Sequence, residues 1–425
     1  MKSRRDFIKR SVLLGATLGS PAISACDGRV NETDVYEKLD EALARPVLKK
    51  EFFNAPVIIE QVELLHYHHS FICRVRSKDG AEGISVSNNI RMIFLYPIFL
   101  QRVAPFFVGK DALDLDKLID GVYRYRSNYK YQSYALWVPV ATLEFAILDM
   151  LGKISGKSMG QLIGEIHNPE PGVYYSTSMR ESTAEATMEA AKEALEKGGC
   201  RAYKFKIGVR MGSDQEVVPG RTEELIPLAR KELGDDFWLG VDGNGAYTVE
   251  KAIEVGKLLT RYDYDFYEEP LPFDWYHETK QVADAVGVPV AGGEQEASMR
   301  MFRWIIGDEI LQIIRPDPFY FGGMIRSVRV ARMAEVAGIQ VIPHQSGAGL
   351  GYLYKMHYVS VLSNAGAFHP SSKDVNPPVI PVECDSSSLE VENGRFKVPT
   401  GPGLGVEINP DFLKKHQPLV PAITE

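Results

Sequence analysis

Six ionisable residues stand out by their spacing. Lys206, Asp242, Glu268, Glu294, Asp317 and His344 follow one another at intervals of 36, 26, 26, 23 and 27 residues. Each stands at or near the end of a short, β-rich apolar run, as in Trp238-Leu239-Gly240-Val241-Asp242 or Ile313-Ile314-Arg315-Pro316-Asp317. Such an interval suits one strand plus one helix, so the six are expected at the same end of successive strands. Asp242, Glu268 and Glu294 then offer three hard carboxylate ligands with no sulfur or imidazole, a set that suits Mg2+. Asp317 and His344 fall on neighbouring strands, where a carboxylate fixes one imidazole tautomer and raises its basicity. Lys204 and Lys206, two apart on one strand, crowd two ammonium groups together. Each is expected to lower the pKa of the other, so that one of them serves as a base.

Positioning these groups requires a barrel. After Pro169 and Pro171, short strand-like runs alternate with amphipathic helical runs from Val173-Tyr174-Tyr175-Ser176 to Gly366-Ala367-Phe368-His369. Eight strands, most followed by a helix, predict an α/β fold of the TIM (β/α) barrel type over residues 169–370. Ahead of it, Val57–Leu64, Phe71–Arg76 and the Lys78-Asp79-Gly80 turn read as an antiparallel meander. Helical patterning follows from Tyr96 to Leu162, which makes an α+β domain over residues 51–168. Residues 27–50 read as a charged linker with a short helix at best.

The chain has 425 residues, 45% of them hydrophobic and 24% charged, the composition of a globular protein, and the interior shows no apolar run long enough to cross a bilayer. A formal net charge of −8 argues against a general nucleic-acid binder, and it means that an anionic substrate needs a locally positive site. Residues 1–26 differ. Arg4-Arg5-Asp6-Phe7 before Val12–Leu18 resembles a twin-arginine export signal, and Ile23-Ser24-Ala25-Cys26 resembles a lipoprotein cleavage box. The expectation is a bacterial periplasmic protein, held to the membrane only through a lipid on Cys26 if that residue is modified. Cys73, Cys200 and Cys384 give neither metal spacing nor a disulfide framework.

Lys204-Phe205-Lys206, Val241-Asp242-Gly243-Asn244, Tyr267-Glu268-Glu269-Pro270, Gly293-Glu294 and Pro316-Asp317 with Gly322-Gly323 together resemble the enolase superfamily, in its mandelate racemase/muconate lactonizing enzyme-like division. The resemblance spans roughly the whole mature chain. It implies a modified barrel with an N-terminal capping domain, completed by a C-terminal segment over residues 371–425. It also implies that Asp242, Glu268 and Glu294 bind Mg2+, which holds the substrate carboxylate and stabilises the enediolate. Lys206 would serve one face of the α-carbon, with Lys204 lowering its pKa. His344, oriented by Asp317, would serve the opposite face.

Other candidates follow from position. Asn244 supports the metal shell or a turn, and Glu269 pairs with a lysine. Gln295 and Glu296 either extend the site or are structural. His66, His68 and His69, between two strands of the capping domain, either read substrate hydroxyls or form a solvent-facing turn. The aromatic-basic stretch Tyr123–Tyr131 reads as a capping or sugar-facing segment, or as packed surface. Many relatives carry a Glu after the last strand, whereas here Ala367-Phe368-His369-Pro370 stands there, so His369 or Lys373 takes that place or nothing does. The overall pattern resembles the acid-sugar dehydratases most. The expected reaction is therefore loss of water from a sugar acid, a small-molecule carboxylate, to give a 2-keto-3-deoxy acid. Epimerisation, cycloisomerisation of an anhydro-sugar acid, and a non-catalytic exported binding protein are the alternatives. The resemblance also implies a homo-oligomer.

Overall fold

The computed structural model describes residues 32–347, 349–371 and 380–424. The export segment, Cys26 and Lys373 lie outside the described residues. The first element among the described residues is α1 (Glu32–Ala44), a 13-residue helix where a charged linker with a short helix at best was expected. Val35, Leu39 and Ala42 recur at helical spacing, and Leu39 and Ala42 are buried. Asp40 receives the Arg303 guanidinium through two bonds of 2.6 and 2.7 Å, so the helix is clamped to the barrel. A thin apolar stripe in a polar segment is easily read as a linker.

The capping domain begins with β1 (Ile59–Tyr67), β2 (Ser70–Ser77) and β3 (Glu82–Val86), an antiparallel meander. Then come α2 (Asn89–Ile98), α3 (Leu115–Val122) and α4 (Tyr134–Ser155), the last closed by Gly156 at φ 68°. β3 packs tightly on α4 because Gly83 has no Cβ: one placed there would stand 2.1 Å from the Ala146 carbonyl oxygen. Contrary to the sequence reading, Tyr134–Ser155 and Asn89–Phe107 are long and apolar enough to cross a bilayer by composition. The first of these is a buried core helix, which satisfies the same pattern without any membrane.

The barrel strands are β4 (Gly172–Ser176), β5 (Ala202–Lys206), β6 (Trp238–Asp242), β7 (Phe266–Glu268), β8 (Val290–Gly292), β9 (Ile313–Ile314), β10 (Gln340–Val341) and β11 (Phe368–Pro370). The intervening helices are α5 (Ala184–Gly198), α6 (Arg221–Leu233), α7 (Val249–Arg261), α8 (Tyr276–Ala285), α9 (Met299–Gly307), α10 (Met324–Val336) and α11 (Gly351–Ser360). Strands β4 to β10 pair in parallel in chain order, β11 pairs with β4, and a bridge between Val341 and Ala365 closes the ring.

The floor of the barrel fixes which residues face inward. Tyr174, Ala202, Phe266, Ala291, Ile313 and Ile342, with Trp238 and Phe368 against them, form one apolar layer with a residue from each strand region. Strand side chains alternate, so residues two and four positions further on point into the mouth above that layer. This selects Lys204 and Lys206, Asp242, Glu268, Arg315 and Asp317, and His344.

Beyond β11 the described chain adds β12 (Val382–Glu383), β13 (Val391–Glu392), β14 (Arg395–Phe396), β15 (Glu407–Ile408), β16 (Gln417–Pro418) and β17 (Ile423–Thr424). β14 pairs with β4, while β16 and β17 pair with β1, so the C-terminal segment completes the capping sheet.

Candidate active site

The mouth is a buried network of charge. Asp242 and Glu268 are direct cross-strand partners, as are Lys206 and Asp242. Lys204 Nζ donates to Glu268 at 2.5 Å and to Asp242 at 3.3 Å, and Lys206 donates to Asp242 and, at 2.9 Å, to Asn244 Oδ1. Glu294 lies one residue off the alternation. Gly293, at φ 98°, supplies the left-handed turn that brings its carboxylate back to the mouth. There Glu294 Oε2 stands 3.3 Å from His344 Nε2, while His344 Nδ1 is 2.8 Å from Asp317 Oδ2. Asp317 also accepts from Ser346 Oγ and from the N–H groups of Phe319 and Tyr320, which fixes its orientation.

Burial opposes every one of these charges, and the neighbours decide the outcome. Burial pulls the Lys204 ammonium down, but Glu268, Tyr174 and Asp242 outweigh it and raise its pKa. The expected mutual lowering by Lys206 is therefore not what governs Lys204 in this arrangement, because the carboxylates lie closer to it. Burial also pulls His344 down, and Glu294 with Asp317 reverses that, so His344 is raised. Glu294 itself is raised by burial, with Glu268 and Asp242 adding to it against His344 and Lys206.

Asp242, Glu268 and Glu294 bring all-oxygen donors to the ends of three adjacent strands, all of them buried. That donor set fits Mg2+, which takes carboxylates and keeps water or substrate in its remaining positions. Among the described residues, no three acidic, imidazole or thiol groups close into a finished cage. The lysines stand between the carboxylates instead.

Other expected residues divide. Gln295 reaches the site: it accepts from the Tyr134 hydroxyl, and its Nε2 lies 3.2 Å from Glu294 Oε1. Asn244 Oδ1 gathers Lys206, Arg180 at 2.7 Å and Arg210 at 3.3 Å, and its Nδ2 lies 3.4 Å from Glu269, which pairs with this amide and not with a lysine. Glu296 accepts from the Ala297 and Ser298 N–H groups and from Tyr276, a structural role. His369 does not face the mouth. Its neighbour Phe368 fills the floor, so alternation turns His369 outward toward α11, where burial lowers its pKa to about 3. His68 sits at the exposed tip of the β1–β2 hairpin at φ 51°, and His66 packs on Phe71. Among the described residues, no hydrogen bond, ion pair or ring contact links either to the barrel. Tyr123 packs on Trp137 and Tyr131 on Arg102, so part of the aromatic-basic stretch is packed surface.

Several residues escaped the sequence reading. Arg315, wholly buried, stands 2.6 Å from Glu268 and donates to the Tyr174 hydroxyl at 2.9 Å. It lies two positions beyond Ile313, so strand alternation alone would have found it. Arg180 donates to the carbonyls of Ile207 and Gly208 and to Asn244, tying the loop after β4 to those after β5 and β6. No spacing signal marks it. Tyr320, Tyr134 and Arg91 form a wall on the His344 side.

Comparison with known proteins places this geometry. The family model described as enolase C-terminal domain-like matches residues 186–412. Arabinonate dehydratase of Saccharolobus solfataricus is 26% identical over 349 residues, 81% of this chain and 89% of that protein. A solved structure from Roseobacter denitrificans, provisionally described as a racemase, has a TM-score of 0.78 and 32% identity, covering 87% of this chain and 100% of that one. A mandelate racemase/muconate lactonizing protein from Paracoccus denitrificans, solved with magnesium, shares the fold at a TM-score of 0.75 and 22% identity, covering 86% of this chain and 99% of that one. With the family model spanning more than half of its length, the chain belongs to the enolase C-terminal domain-like family, within the enolase/mandelate racemase superfamily.

Proposed function

We propose that this enzyme is a Mg2+-dependent hydro-lyase that removes the proton α to the carboxylate of a sugar acid and expels the hydroxyl at carbon 3. The observation that carries the reading is the placement of two proton-transfer groups on opposite sides of three carboxylates. Lys206 sits against Asp242, and His344 sits between Glu294 and Asp317. Asp242, Glu268 and Glu294 would hold the metal, which when bound would neutralise them and polarise the substrate carboxylate. Lys206 takes the α-proton at Nζ, placed by Asn244. Lys204 and Arg315 hold Glu268 and, in the case of Lys204, Asp242 in position. His344 donates a proton from Nε2 to the departing hydroxyl, while Asp317 at Nδ1 fixes the ring and stabilises its charged form. The enol product tautomerises to a 2-keto-3-deoxy acid. Stereochemistry of the substrate decides whether Lys206 and His344 exchange these roles.

Mass spectrometry of a sugar-acid library incubated with protein and Mg2+ in D2O tests this. A product lighter by one water with deuterium at carbon 3 supports dehydration. Deuterium at carbon 2 without loss of water supports epimerisation. That second reading is favoured by the same two flanking groups and by the likeness to the Roseobacter denitrificans protein. Absence of exchange in every acid, with Mg2+ shown to bind, overturns both. We further propose export to the bacterial periplasm through residues 1–26. Loss of export on replacing Arg4 and Arg5 by lysine is the expected result, read by cell fractionation.

A further inference from the structure

Most cations at the mouth already have protein partners. Lys204, Lys206 and Arg315 are engaged by Asp242 or Glu268, and His344 by Glu294 and Asp317. Arg180 spends its donors on two carbonyls and Asn244, and Arg210 on Asn244. Arg91 is different. It comes from α2 of the capping domain, one helical turn after Asn88, whose side chain donates to Ser346 Oγ at 3.0 Å; Ser346 in turn bonds Asp317. Its guanidinium lies 5.7 Å from the ring centres of both Tyr134 and Tyr320, which stack 4.1 Å apart. Tyr320 in turn faces His344, with ring centres 6.2 Å apart. Two rings hold the guanidinium beside the mouth, and the Tyr320 hydroxyl also pairs with it, yet among the described residues no carboxylate stands within ion-pair distance of it. A guanidinium fork matches a carboxylate in two parallel bonds. In a protein of net charge −8, a cation placed beside the mouth without a carboxylate partner also offsets the field that repels small anions.

We propose that Arg91 is a specificity-determining residue that selects acids carrying a second carboxylate at the end remote from the reacting one. The proposal rests on the reaction site described above and adds the substrate class: aldarates in preference to aldonates. Tyr134 and Gln295, which lie between Arg91 and Glu294, line the path for the hydroxylated chain.

The test uses the full chain loaded with Mg2+ and matched pairs of aldarate and aldonate of the same configuration. Turnover is read by mass spectrometry and steady-state kinetics, and binding by calorimetry. The expected result is a wild-type preference for an aldarate of ~10-fold or more, and in R91M a loss of ~10- to 100-fold for the aldarate, mainly in KM and several times larger than for the aldonate. R91K, which keeps the charge and loses the fork, restores part of the preference and reports that the fold is intact. A wild-type preference for the aldonate, or an equal loss for both acids in R91M, overturns the proposal. Binding separates this from failure of the reaction itself. If no acid turns over but calorimetry shows an aldarate preference that R91M removes, the dehydratase reading falls and the Arg91 assignment stands. Absence of preference in both turnover and binding overturns it.

Discussion

Lys206 and His344 are chemically unequal partners, and that inequality is testable one residue at a time. If Lys206 removes the α-proton, K206M loses both dehydration and exchange of the carbon 2 hydrogen, by ~10³-fold or more. H344N keeps the base but loses the acid. It is expected to retain hydrogen exchange at carbon 2 in D2O while dehydration falls ~10²- to 10⁴-fold. The reverse pattern, exchange lost in H344N and kept in K206M, would assign the roles the other way round. Asp317 acts through His344: its carboxylate receives Nδ1 at 2.8 Å and is itself held by Ser346 and two backbone N–H groups. Lys204 lies at 2.5 and 3.3 Å from Glu268 and Asp242, and these carboxylates outweigh burial and raise its pKa.

At the scale of the element, one glycine decides whether the third carboxylate reaches the site. Gly293 has φ 98°, and a Cβ there would stand 2.9 Å from the Phe302 ring. G293A is therefore expected to be strained by ~1–3 kcal/mol and to swing Glu294 away from the mouth. The measurement is the melting temperature with and without Mg2+. Wild type gains stability as Mg2+ rises to saturation, by about 2.7 kcal/mol at a hundredfold excess over Kd. G293A and D242N are expected to lose most of that increment, and an undiminished Mg2+ effect in both would sink the ligand assignment.

Over the whole molecule, the capping domain and barrel are joined by a buried acid. Glu144 of α4 accepts the Ile325 N–H at 2.9 Å at the start of α10. Burial pushes its pKa up to about 8, against the pull of the Ile325 and Met324 N–H groups. An unfolded carboxyl loses its proton near 4.5. Between those values the native state holds more protons than the unfolded state, so this group makes stability fall as pH rises from about 4.5 to about 8. E144Q, neutral at every pH and similar in shape, removes that contribution. The difference in melting temperature between E144Q and wild type should grow with pH across the window, and a constant difference would rule the linkage out.

Sequence alone determined the barrel and the six chemical residues at its strand ends. Short, near-continuous apolar runs at intervals of one strand and helix leave few other ways to bury them. The family resemblance was legible for the same reason, because Lys204, Lys206, Asp242, Glu268, Glu294 and Asp317 lie in short local motifs. Tertiary structure decided what depends on direction and on distant partners. His369 sits at the right height on β11, but Phe368 fills the floor and turns it outward. Arg180 and Arg91 reach the site from a loop and from the other domain, 64 residues from Asn244 and 229 from Tyr320 in the chain. α1 docks through Asp40 on Arg303, 263 residues away. Spacing along the chain reports which residues share a strand end. Which way each side chain turns, and which charges meet across domains, is settled only when the strands close and their pleat fixes a direction for each residue.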